Sequence, residues 1–153
     1  MRSLDELATA FRACTLSRAE WTHAAHLGVG AWHVHHHGAA RALELLRDGI
    51  RRLNEHHGTV SSPTSGYHET ITAAYVRLLD AFLATFAPDV ALDRRVEVLL
   101  AGPLGARAAL LRFWSKDRLM STRARAAWVP PDLEPLPGEP SASRGRSLGV
   151  PRS

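Results

Sequence analysis

At 153 residues, with 45% hydrophobic and 22% charged side chains, the chain is long enough for one sizeable core and too ordinary in composition for a fibrous or low-complexity class. Its net charge of +4 is modest, and its arginines alternate with acids and apolar residues as on solvated helix faces, so no specific nucleic-acid binding is expected. A single cysteine, Cys14, rules out an intramolecular disulfide and a multi-cysteine zinc site, and no apolar run approaches the roughly 18 residues of a membrane span. With Asp5 and Glu6 where a signal peptide needs an apolar run, a soluble cytoplasmic protein is expected.

Ser3 and Glu6 have the spacing of a capping box, and Leu4, Leu7, Ala8 and Phe11 recur at helical spacing, which predicts a first helix from about residue 4 to 14. Ser17 with Glu20 is a second box, opening a segment that runs to His37 with Leu27, Ala31 and Val34 on one stripe before Gly38 stops it. Two glycines inside it, Gly28 and Gly30, each cost about 1 kcal/mol against alanine and point to a neighbouring helix at close range. Ala42, Leu43, Leu46, Ile50 and Leu53 mark an amphipathic third helix closed by Gly58. A polar loop from Thr59 to Gly66, placed to act as a lid, leads to a fourth helix whose apolar face runs from Ile71 to Phe86.

Beyond Pro88, short helices are predicted over 90–101, 104–114 and 121–127. The whole reads as an all-α, single-domain helical bundle of four main helices plus short C-terminal ones, spanning 1–137, with 138–153 a disordered tail lacking apolar periodicity.

Two stretches carry the candidate chemistry. In Trp21-Thr22-His23-Ala24-Ala25-His26-Leu27, Thr22 is a predicted N-cap, and His23 and His26 fall on one helix face, spaced to share a ligand. In Gly66-Tyr67-His68-Glu69-Thr70-Ile71-Thr72, His68 and Glu69 open another helix in the same way. These strings, followed by Arg118-Leu119-Met120-Ser121, Ala124-Arg125 and Val129-Pro130-Pro131-Asp132, resemble a family of small bacterial helical proteins of uncharacterised activity over roughly Leu16 to Pro137. The resemblance implies an all-helical fold of bacterial origin and brings no activity with it.

Two functional classes follow from the residues. In the first, His23, His26 and His68 ligate a divalent metal, zinc or iron, with Glu69 as further ligand or general base and Tyr67 orienting a small-molecule substrate. Thr22 and Thr72 would steady the ligating rings; without a metal the same side chains form an acid and base pair over a pocket. In the second class the protein is a helical binding or interaction module whose histidines are structural: His68 would sit in its helix's first turn and Glu69 would complement the helix dipole. His33, His35, His36 and His37, and the pair His56 and His57, crowd helix C-termini, where charged rings favour the dipole and where nickel or zinc would bind adventitiously. Trp32, Trp114 and Trp128 are read as packing anchors.

Overall fold

The computed structural model describes residues 2–138. Seven α-helices follow in order: α1 (Leu4–Arg12), α2 (His23–His37), α3 (Ala39–His56), α4 (Glu69–Leu83), α5 (Leu92–Ala101), α6 (Lys116–Leu119) and α7 (Thr122–Ala126). Two 3-10 turns, Pro103–Gly105 and Ala109–Arg112, lie between α5 and α6, and among the described residues the only β pairing is an isolated bridge from Ser62 to Ser65. The fold is all-α, and no described helix is long and apolar enough to cross a membrane. Apart from Gly138, the segment expected to be disordered lies outside the described residues.

Helix α1 starts as its sequence dictates: Ser3 and Glu6 exchange both hydrogen bonds of the capping box. The Ser17 and Glu20 box also forms, at 3.0 and 3.2 Å, but it closes a turn and not a helix. Helix α2 begins only after Thr22, whose hydroxyl accepts from the Ala25 amide at 3.1 Å. The stretch expected to be helical over 104–114 is instead the pair of 3-10 turns, with a break between Gly105 and Ala109. Such short turns satisfy local carbonyls where no long apolar stripe rewards a continuous helix.

Helix α2 packs against α1, α3, α4 and α5, and this position explains why the run from Leu27 to Val34 is buried all round rather than on one stripe. Gly30 lets α4 approach: a Cβ there would lie 2.8 Å from Leu79 Cδ1. Around this axis Phe11, Leu16, Leu27, Leu46, Leu53, Leu79 and Leu99 make the main core. Leu53, fully buried, contributes about 2 kcal/mol by leaving water.

A second core lies on another part of α4, where Ala74 and Leu78 meet Leu110, Phe113, Trp114, Leu119, Val129 and Leu136. The chain after Phe113 is laced onto α4 by polar contacts as well. Trp114 is wholly buried and donates Nε1–H to the Val129 carbonyl at 3.1 Å. The Thr70 hydroxyl donates to the Ala127 carbonyl at 2.9 Å and accepts from the Val129 amide at 3.1 Å. Asp132 takes the Ser115 amide and hydroxyl at 2.8 and 2.6 Å, and Arg118 Nε donates to the Pro130 carbonyl at 2.7 Å. The motifs around Gly66 and Arg118, far apart in sequence, thus form one clasp.

Candidate functional site

A cavity of about 370 Å³ opens between α2, α3 and α4. Leu27, Leu46, Ile50, Ile71 and Leu79 make most of it apolar, while Trp21, His23, His26, Thr72, Tyr75 and Arg107 bring polar groups to its wall. A pocket of this size, mostly apolar with a few convergent polar groups, is the usual form of a small-molecule site.

His26 owes its pose to the helix start. Its Nδ1 lies 2.8 Å from the Thr22 carbonyl, which can only accept, so Nδ1 carries the proton and Nε2 is left as a free acceptor. The ring stacks on Trp21 with centroids 3.7 Å apart, and Trp21 stacks in turn on Phe11 at 5.3 Å. Desolvation holds the His26 pKa below the usual imidazole value, with the Thr22 carbonyl pulling the other way.

His23, the first residue of α2, meets the Tyr75 ring edge-on at 5.9 Å. Its Nε2 is buried and has no hydrogen-bond partner. Burial and the neighbouring Arg107 guanidinium lower its pKa, against a smaller opposing pull from the Ala106 carbonyl. Both rings are therefore neutral near pH 7. Burial raises the Tyr75 pKa, so its hydroxyl stays protonated there.

The other expected site residues are employed elsewhere. His68 is the N-cap of α4: its Nδ1 accepts from the Ile71 amide at 3.1 Å, and its Nε2–H donates to the Leu119 carbonyl at 2.7 Å. Both nitrogens are spent, so His68 offers nothing to a metal, contrary to the expectation from the motif. Glu69 is held by Arg47 through two bonds at 2.9 and 2.7 Å and accepts from the Tyr67 hydroxyl at 2.8 Å. The Arg47 bonds are the main reason its pKa is lowered, and burial pushes the Tyr67 phenol up to about 12. Glu69 and Tyr67, expected as base and orienter, thus form a buttress between α3 and α4. Thr22 serves as the α2 cap. Thr72 does reach the cavity, its hydroxyl donating to the His68 carbonyl at 2.9 Å.

A zinc or iron ion would find two imidazoles at the cavity, one short of the three protein ligands a catalytic site needs. Among the described residues no group of three or more His, Cys, Asp or Glu side chains is placed to hold a metal, so the donor set does not fit. Sequence reasoning missed Tyr75, which sits in the apolar pattern of α4, and Arg107, an exposed cation in a stretch predicted to be cover. The only available signal for Arg107 was a lone charge among Leu104, Ala106, Ala108 and Leu110. No family model matches the chain, and neither the curated proteins nor the solved structures contain a match to it.

Proposed function

We propose that the cavity between α2, α3 and α4 binds a small, largely apolar molecule bearing an acidic or hydrogen-bonding group, with His23 and His26 as its polar contacts and Arg107 attracting the charge. The observation that carries this reading is the buried, unpartnered Nε2 of His23 beside a cavity of about 370 Å³. A buried polar atom without a partner costs about 1 to 3 kcal/mol, a cost a ligand's polar group would remove.

The arrangement also suits proton transfer without a metal. His26, fixed in one tautomer by Thr22, presents Nε2 as a base, and the Tyr75 hydroxyl supplies a donor on the facing helix. A depressed imidazole pKa keeps that base free at neutral pH. The competing reading, a binding module without catalysis, draws support from the histidines that are plainly structural. His33 Nδ1 bonds the Val29 carbonyl at 2.8 Å, His57 Nε2 bonds the Leu16 carbonyl at 2.8 Å, and His68 caps α4.

A thermal-shift screen of aryl and alkyl carboxylates and their uncharged amides tests the binding. Hits should perturb the resonances of His23, His26 and Tyr75, and Arg107→Gln should weaken the carboxylates more than the amides. Hits that leave those resonances unmoved, or that bind the Arg107 variant equally well, would defeat the reading. Turnover of a hit that disappears in His26→Gln while binding persists would decide for catalysis.

A further inference from the structure

A second cleft, of about 470 Å³, forms where the loop after α3 meets α7. It owes nothing to the histidine cavity. Beside Pro63, Tyr67 and Ala126, polar and basic side chains reach its wall: Arg51 from α3, Ser61, Ser62 and Ser65 from the loop, and Thr122 and Arg125 from α7. None of its lining residues is acidic. The nearby carboxylate, Glu69, is already taken by Arg47 and Tyr67.

Both guanidiniums are held in place without a direct ion pair, Arg51 feeling the Glu69 carboxylate only as a charge behind Arg47. Arg51 Cζ sits 4.9 Å from the Tyr67 ring centroid, and Arg125 spends one N–H on the Gly66 carbonyl at 2.8 Å. Among the described residues neither makes an ion pair, whereas Arg47 close by does. The loop is shaped as well. Ser62 and Ser65 exchange backbone hydrogen bonds of 3.0 and 3.3 Å. Gly66 has φ +89°, and a Cβ on it would lie 2.9 Å from Ser61 Cα. The expected lid is thus a tied turn that displays hydroxyls beside two cations.

Two guanidiniums without direct ion pairs in one concave site concentrate positive potential, and their planar N–H forks match tetrahedral oxyanions. Serine and threonine hydroxyls complete a donor-rich shell. We infer that this cleft binds the phosphate group of a small soluble phosphate ester, with Arg51 and Arg125 on its oxygens.

The test is amide NMR of the full chain titrated with inorganic phosphate and with adenosine 5′-monophosphate, at constant ionic strength, with adenosine as the uncharged control. Saturable shifts of residues 61–66 are expected from both phosphates and not from adenosine. Arg51→Gln should weaken them about tenfold or more, and Arg107→Gln, at the histidine cavity, should leave them unchanged. Should Arg51→Gln fail to fold, Ser65→Ala and Thr122→Val read the same contact and should each weaken binding several-fold. Shifts that do not saturate, or that chloride reproduces, would overturn the inference, as would undiminished binding by folded Arg51→Gln. Retention on phosphatidylcholine vesicles only when they carry phosphatidic acid, without any shift from the soluble phosphates, would move the phosphate to a lipid and also overturn it.

Discussion

Replacing His68 separates a structural histidine from a chemical one, because the two roles give opposite signs. His68→Ala removes the side chain that caps α4, a loss of about 1 kcal/mol. It also removes the donor to the Leu119 carbonyl in a buried setting, and leaving that acceptor unmet costs about 1 to 3 kcal/mol. The expected destabilisation is about 2 to 4 kcal/mol, which for a chain of this length lowers Tm by roughly 4 to 16 °C. His68→Asn keeps an N-capping acceptor and should recover about 1 kcal/mol of it. Urea unfolding followed by circular dichroism measures both variants. A loss below about 0.5 kcal/mol in His68→Ala, or an asparagine variant no better than alanine, would refute the role of His68 in the clasp. A more stable alanine variant would restore His68 to the list of functional groups, since sites kept for chemistry commonly sacrifice stability.

Glu69→Gln breaks the two-bond pair with Arg47 and should cost about 1 to 3 kcal/mol in the same unfolding assay, while cavity ligands found by the thermal-shift screen bind unchanged. Burial holds the folded pKa values of His23, His26 and His68 below the usual imidazole value, so the unfolded chain takes up protons first on acidification. Their contribution should be fully present above about pH 6.5 and be lost progressively below it, as the pH falls towards the folded values; Tm flat from pH 7.5 to 5 would contradict this. Gly30→Val drives a branched side chain against Leu79 in the cavity wall, and calorimetry should show cavity ligands lost together with about 1 to 3 kcal/mol of stability.

Helix ends marked by a polar cap or a glycine were partly legible from sequence: α1 starts after Ser3 and α3 after Gly38, whereas α2 starts after the Thr22 cap and not at the earlier Ser17 and Glu20 box. The 104–114 region was not, because its leucines mimic a helical stripe while the chain only makes single turns there. That His23 and His26 would lie together was legible because both sit on one helix, whose geometry relates them directly. The partners that His68 and Glu69 take were not legible, for the converse reason. Their partners, Leu119 and Arg47, lie 51 and 22 residues away, and no local pattern announces a backbone carbonyl as the partner of a ring. Tyr75 and Arg107 could be found only once α2, α4 and the turns after α5 had been brought together.

The clasp between α4 and the chain after Phe113 also imposes an order on biosynthesis. His68 and Thr70 find their carbonyl partners 51 and 57 residues further along. At ordinary elongation rates those partners leave the ribosome roughly 3 to 10 seconds after α4 itself has been made. During that interval α1 to α5 can already assemble the main core, since its residues end at Leu99. The Ala74 and Leu78 patch, by contrast, stays bare until Trp114 and Val129 arrive. A nascent chain stalled in this window exposes that apolar patch to chaperones, and a stop codon placed before Trp114 would make the exposure permanent.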